Sequence, residues 1–157
     1  MNLRTGIGFD AHRFAAGPKP LRLALLTWPG HFALEGHSDG DVVAHALVDA
    51  IASAGGLGDI GALFGQTDPR FAGADSTLFL TGVIDRLHQS GFHLVNAAVQ
   101  LIGNSPVLAP RRAEAQAAIS KAVGAPVSLA ATTTDAMGFT GRGEGLAAFA
   151  SALVSRD

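Results

Sequence analysis

The hydrophobic pattern changes its period along the chain, and this change constrains the fold more than any other feature. Apolar residues alternate with small or polar ones at the start, which predicts a strand from Leu3 to Phe9 that ends at Asp10. From Asp41 to Ala54 apolar residues recur at helical spacing instead. A chain that contains both periods is typical of a protein built from a sheet and helices.

Glycine and proline mark the limits of the other elements. An extended stretch from Leu21 to Thr27 stops at Pro29-Gly30, which suggests a sheet return there, and a glycine-rich loop is expected from Gly58 to Gly73. The first helix has Ser38 or Asp39 available as its N-cap. We expect further helices at Ser76–Gln89 and Pro110–Val123, and strands at Phe92–Ile102, Val127–Ala131 and Leu146–Val154, the last alanine-rich enough to be helical by propensity alone.

The order of these elements predicts an α+β fold, with helices layered on a mixed β-sheet. The first two strands come as a pair, and later strands alternate with helices. The length of 157 residues fits a single domain covering 1–157. Because the last strand is apolar at nearly every position, we expect the free face of the sheet to be buried against other subunits.

The composition excludes several classes of function. Eleven basic and 13 acidic residues leave a net charge of −2, so we expect neither a nucleic acid nor a membrane surface as partner. With no cysteine, only His, Asp and Glu remain as strong metal ligands. Glycine and Asp10 interrupt the start, and no apolar run reaches about 18 residues, so we expect no signal peptide and a cytoplasmic protein.

Two groups of polar residues suggest a metal site. Asp41, His45 and Asp49 share one helical stripe, since each step of four residues turns by only about 40°. Asp10 and His12 lie two apart at a strand end and point to one face if the strand continues. Asp10, His12 and His45 would make a three-ligand zinc site with an open position. Alternatively, the Asp-X-His pair is solvated or capping, and Asp41 or Asp49 is either the partner of His45 or the acceptor that orients a metal-bound ring.

Other segments suit an anionic ligand. His37 and Ser38 precede a helix whose free amides favour anions. The segment 132–145 has three threonines, several glycines and Arg142, which would suit a phosphorylated ligand or form a flexible turn. Asp68 before Pro69 is as compatible with a turn as with a ligand.

Five blocks, taken together and in order, resemble the 2-C-methyl-D-erythritol 2,4-cyclodiphosphate synthase family. They are Gly8–Phe14, Gly36–Ala50, Leu57–Gly61, Thr67–Pro69 and Thr132–Gly145. The resemblance implies a homotrimer with its sheets facing the threefold axis and active sites at subunit interfaces. It implies a phosphorus-oxygen lyase of the non-mevalonate isoprenoid pathway, which cyclises 4-diphosphocytidyl-2-C-methyl-D-erythritol 2-phosphate and releases CMP.

The same resemblance assigns roles to residues. It implies zinc at Asp10, His12 and His45, and magnesium or manganese at Asp135, where the family usually has glutamate. His37 and Thr133 would stabilise the transition state. The residues implied in substrate binding are Ser38, Asp59, Ile60, Gly61, Phe64, Thr67, Asp68, Gly103, Pro106, Val107, Leu108, Ala109, Ala131, Thr132, Thr134, Phe139 and Arg142.

Within that set, Gly103–Ala109 with Thr132 and Thr133 would form the cytidine pocket of the neighbouring subunit. Phe139 and Arg142 would also reach a central cavity that can hold an isoprenoid diphosphate. This chain departs from the family at Val107, where lysine is common, and also at 24–26 and 65–66. We therefore expect the reaction to be kept with differently built nucleotide binding. A zinc-dependent phosphatase or nucleotide hydrolase and a non-catalytic trimer that senses isoprenoid diphosphates stay open as alternatives.

Overall fold

A four-stranded mixed sheet in the order β1-β6-β4-β5 forms the centre of the molecule, and a separate two-stranded hairpin, β2-β3, lies beside it. This computed structural model describes residues 1–157. The strands are β1 (Asn2–Arg13), β2 (Pro20–Leu23), β3 (Leu26–Phe32), β4 (His93–Ile102), β5 (Val127–Thr132) and β6 (Gly145–Arg156). The helices are α1 (Val42–Gly55), α2 (Ile60–Phe64), α3 (Thr77–Gln89), α4 (Arg112–Val123) and α5 (Gly138–Gly141), with 3₁₀ turns at Pro69–Phe71 and Ala109–Arg111.

The predicted layering of helices on a mixed sheet is confirmed. Strand β6 pairs antiparallel with both β1 and β4, whereas β4 and β5 run parallel. Helix α1 packs on β1 and β6, and α4 packs on β5. Helices and sheet share one core of 37 buried residues. The alanine-rich segment at the end of the chain is the strand β6, as predicted.

Helix α1 lies directly against β1 because glycine occupies the contact positions. A Cβ atom at Gly6 would overlap the carbonyl oxygen of Ala50, and one at Gly8 would overlap that of Ala46. Any larger residue would push the helix away from the strand. This close packing brings the first turns of α1 next to the end of β1, where Asp10 and His12 lie.

The first half of the chain corrects two predictions. Strand β1 pairs along its whole length with β6 and not with the next strand. The predicted return at Pro29-Gly30 is also wrong, because both residues lie inside β3. The chain turns at Ala24 and Leu25, whose φ angles of 53° and 64° are left-handed. Neither residue favours that region, so the turn carries no sequence signal.

Asp41 stabilises this turn and caps α1. Its carboxylate accepts hydrogen bonds from the backbone N–H groups of Ala24 at 2.9 Å, Leu25 at 2.8 Å and Ala44 at 3.1 Å. The helix therefore begins after Asp41, and the predicted N-cap at Ser38 or Asp39 is wrong. The segment predicted as a loop from Gly58 to Gly73 contains α2 and a 3₁₀ turn, capped by Asp59 and Asp68.

The face of the sheet opposite the helices carries large exposed apolar side chains. Leu3, Ile7 and Phe9 of β1 and Phe149 of β6 are between 44% and 63% exposed. Such a patch is typical of an interaction surface. No helix combines the length and apolar character that a membrane-spanning segment needs.

Candidate active site

Asp10, His12 and His45 converge at the end of β1. Asp10 Oδ2 lies 2.9 Å from His12 Nε2 and 3.1 Å from His45 Nδ1. The three ligand atoms all lie within 4.8 Å of one another. The strand β1 stays extended through Arg13, beyond its predicted end at Asp10, and so Asp10 and His12 share a face. One carboxylate and two imidazoles form a donor set that suits zinc and leaves a fourth position for another ligand.

Asp10 and His45 shift each other's pKa. Burial by itself would raise the pKa of Asp10, but hydrogen bonds from His12 and His45 outweigh it and lower the pKa to about 2. Burial would lower the pKa of His45, yet the hydrogen bond and charge of Asp10 raise it overall. The carboxylate is therefore ionised at neutral pH and attracts positive charge to this point.

The far side of the His45 ring faces two hydroxyl groups. His45 Nε2 lies 3.1 Å from both Ser38 Oγ and Ser76 Oγ. The ring of Phe79 packs against the imidazole edge to face, with centroids 5.9 Å apart. Sequence reasoning missed Ser76, since a serine before a helix is an ordinary N-cap signal and its contact with His45 spans 31 positions.

Asp41 and Asp49 do not serve the His45 ring, contrary to the alternatives left open by their spacing. Asp41 binds the hairpin turn, as described above. Asp49 accepts a hydrogen bond from Ile60 N at 2.8 Å and so holds the start of α2. Burial raises the pKa of both carboxyl groups. Their roles are to position the chain segments around the metal cluster.

Several predicted substrate residues lie on segments around this cluster. His37 donates from Nε2 to the carbonyl oxygen of Asp68 at 2.9 Å, which joins two of the predicted segments. The Asp68 carboxylate pairs with Arg70 at 2.6 Å, and hydrogen bonds from Arg70 lower its pKa. Asp59 accepts from Ala62 N at 2.8 Å. Ile60, Gly61 and Phe64 belong to α2, and Thr67 lies in the bend that follows it.

Phe64 connects α2 to the metal cluster through aromatic packing. Its ring centroid lies 5.6 Å from that of Phe71 and 5.2 Å from that of Phe79, whose ring also contacts His45. The outer side of His12 is shaped by Phe139 of α5, since the two residues line one cavity of about 220 Å³. Arg142 lies next to Glu144, with their charged atoms 3.3 Å apart.

The remaining predicted residues form a second group at the same end of the sheet, where β4 and β5 end. Gly103–Ala109 follows β4 and Ala131–Thr134 ends β5, and the two segments are joined by Gly103 N donating to Thr132 O at 3.0 Å. Beyond them, Asp135 and Ala136 have left-handed φ angles of 49° and 65°. This second group contains the loop residues Pro106, Val107 and Leu108, and Thr133.

The structure of one chain does not bring the two groups together. Strand β5 is separated from β1 by β4 and β6, a distance of roughly 14 Å at ordinary strand spacing. No hydrogen bond or ion pair joins residues 103–109 or 131–135 to Asp10, His12 or His45. Each chain thus presents a metal-binding half and a separate loop half.

Comparison with known proteins shows the family to which this chain belongs. The sequence model described as the YgbB family matches residues 3–155. The chain belongs to the YgbB family. One relative in Cutibacterium acnes, "2-C-methyl-D-erythritol 2,4-cyclodiphosphate synthase", is 54% identical over 157 residues, which cover 99% of this chain and 93% of that protein.

Two further proteins similar to this chain extend the comparison. The "Bifunctional enzyme IspD/IspF" of Clavibacter michiganensis is 56% identical over 154 residues; the match covers 98% of this chain but spans only 37% of that longer protein. The solved structure titled "IspF (Plasmodium falciparum) CDP complex" superposes with a TM-score of 0.84 at 26% identity and covers 99% of this chain and 97% of the other. A protein of the same fold therefore binds CDP.

Proposed function

We propose that this YgbB-family chain is a 2-C-methyl-D-erythritol 2,4-cyclodiphosphate synthase of the non-mevalonate pathway, acting in the cytoplasm. The observation that carries the proposal is the meeting of Asp10, His12 and His45 beside segments that match the family motifs. The names of the relatives described above support the same activity. Its substrate is 4-diphosphocytidyl-2-C-methyl-D-erythritol 2-phosphate and its products are the cyclic diphosphate and CMP.

The proposed reaction needs no nucleophile from the protein. An oxygen of the 2-phosphate forms a bond to the diphosphate phosphorus nearer the methylerythritol, and the bond from that phosphorus to the CMP oxygen breaks. The electron pair leaves with CMP, so the atoms and charges balance. The main barrier is the approach of two negative phosphates, and catalysis consists of holding them in line and offsetting their charge.

The residues fit this task as two sets, metal ligands and hydrogen-bond donors. Asp10, His12 and His45 would hold zinc, and Asp135 would hold magnesium or manganese; when bound, the cations offset phosphate charge. The Ser38 hydroxyl lies beside the metal cluster and can donate a hydrogen bond to a phosphate oxygen, and His37, next to it in the chain, would donate to phosphate in place of its bond to Asp68 O. The side chains of α2 and of residues 67–68 line the approach for the methylerythritol.

The second half of the site would come from a neighbouring copy of the chain. The loop residues 103–109 and 131–135 make no hydrogen bond or ion pair with the metal cluster of their own chain, and Leu3, Ile7, Phe9 and Phe149 leave an apolar sheet face uncovered. A homotrimer with its sheets around the threefold axis would explain both observations. Thr133 would then act on a phosphate bound by the neighbour, and Phe139 and Arg142 would face a central cavity suited to an isoprenoid diphosphate.

The test of the function is a product assay with purified protein. With the substrate, zinc and magnesium, we expect CMP and the cyclic diphosphate in equal amounts, and loss of both on adding a chelator. The variant His45→Ala should lose nearly all turnover, whereas Ser90→Ala, altered at the far end of α3, should retain it. A free methylerythritol bisphosphate formed in place of the cyclic diphosphate would indicate a hydrolase, and binding without turnover would indicate a sensor; either result would overturn the proposal.

A further inference from the structure

Ser76 is a fully buried serine that the proposed roles do not use. It occupies the N-cap position of α3, where a serine side chain usually accepts a hydrogen bond from the first turn of the helix. Here the side chain makes no such bond. Its Oγ lies 2.5 Å from Asp39 Oδ1 and 3.1 Å from His45 Nε2 instead. The hydroxyl is thus turned from its helix toward a predicted zinc ligand.

The number of available hydrogens sets the direction of these bonds. The Asp39 carboxylate oxygens act as acceptors, from Asp41 N at 3.1 Å, from Ser76 N at 2.8 Å and from the Ser76 hydroxyl. The hydroxyl has a single hydrogen, which this short bond to the carboxylate uses. Ser76 Oγ can therefore act toward His45 only as an acceptor, and His45 Nε2 must carry the hydrogen between them.

Ser38 cannot replace Ser76 in this role. Its Oγ is equally close to His45 Nε2, at 3.1 Å, but it makes no other side-chain hydrogen bond and is partly exposed. The Ser38 hydroxyl is free to rotate and to donate to an anion. Only Ser76 is held in one orientation, by a carboxylate that binds both its backbone N–H and its side chain.

We propose that Asp39 and Ser76 are positioning residues that hold the His45 ring with a hydrogen on Nε2, so that Nδ1, the nitrogen facing Asp10, is the one left to bind zinc. The proposal rests on the zinc site of the proposed function. It accounts for the ring orientation, since Nδ1 faces Asp10 Oδ2 at 3.1 Å while Nε2 faces the buried hydroxyl. Partners behind a metal-binding imidazole typically change metal affinity 10- to 100-fold.

The first test measures zinc binding by competition with a chelator, without substrate. Ser76→Ala should weaken zinc binding by about 10- to 100-fold. Ser76→Thr keeps the hydroxyl and should recover most of that affinity. Asp39→Asn should weaken zinc binding, because it replaces one of the two carboxylate oxygens that accept hydrogen bonds from Ser76. Ser90→Ala removes a hydroxyl that only donates to Leu87 O at 2.7 Å, so it should bind zinc like the parent protein.

The second test observes the ring itself in zinc-loaded protein with ¹⁵N-labelled histidine. The Nε2–H proton of His45 should be visible and protected from exchange in the parent protein, and should exchange faster in Ser76→Ala. A hydrogen on Nδ1, or parental zinc affinity in both Ser76→Ala and Asp39→Asn, would overturn the proposal. If Ser76→Ala does not fold, Ser76→Thr and Asp39→Asn decide. Because neither test uses substrate, a chain without cyclisation activity can still pass both, and an active chain can fail both.

Discussion

Replacing Gly8 by alanine tests whether the packing of α1 on β1 builds the metal site. A Cβ at Gly8 would overlap Ala46 O and would lie 2.6 Å from Ala50 N, where ordinary contact begins at 3.4 Å. The helix must therefore retreat by roughly 1 Å at this level, which moves His45 away from Asp10. Overpacking of this kind costs about 1–3 kcal/mol of unfolding free energy.

The loss of zinc affinity should be larger than the loss of unfolding free energy alone suggests. Metal–ligand distances tolerate only about 0.2 Å, so a shift of about 1 Å takes the His45 nitrogen out of bonding range. We therefore expect the zinc dissociation constant of Gly8→Ala, measured by chelator competition, to rise about 100-fold. Urea unfolding with chelator present measures the loss of stability separately, without a contribution from bound metal.

Gly6→Ala is the matched control. It creates the same kind of overlap, with Ala50 O and Ala54 N, but roughly 7 Å further from the metal end of β1. Its loss of unfolding free energy should be similar, while its zinc affinity should stay within a few-fold of the parent protein. Parental zinc affinity in Gly8→Ala, or equal weakening in both variants, would refute the link between helix packing and the metal site.

Three further predictions address other parts of the account. Thr133→Ala should lower turnover without changing zinc content, and unchanged turnover would exclude a role for that hydroxyl. Val107→Lys should tighten CMP binding in a calorimetric titration, and an unaltered dissociation constant would show that the loop meets no phosphate. Asp41→Ala leaves the N–H groups of Ala24, Leu25 and Ala44 without their acceptor and should cost on the order of 3 kcal/mol in urea unfolding; a loss below about 1 kcal/mol would contradict its role at the turn.

The elements with regular periodicity could be predicted from the sequence because each depends on local pattern. Strand β1, helix α1 and strand β6 all form where alternation or helical spacing indicates. The turn at Ala24-Leu25 could not, because a distant carboxylate, that of Asp41, satisfies both of its N–H groups. A turn stabilised from 16 or 17 positions away leaves no local signature.

The candidate site, too, could be predicted from the sequence only in part. Asp10 and His12 could be paired from the strand pattern, since their side chains share one face. Beyond Asp10, the neighbours of the His45 ring could not be inferred, because helical spacing pointed to Asp41 and Asp49, whereas the other groups that reach the ring are Ser38 and Ser76. Spacing on one helix describes neighbours along that helix; the actual partners come from other elements packed against it.

The most direct test of the central claim is diffraction at the zinc absorption edge from crystals grown with zinc. The account predicts one anomalous peak per chain, within bonding distance of Asp10 Oδ2, His12 Nε2 and His45 Nδ1. A fully occupied zinc elsewhere in the chain, with these three atoms left unbound, would contradict it.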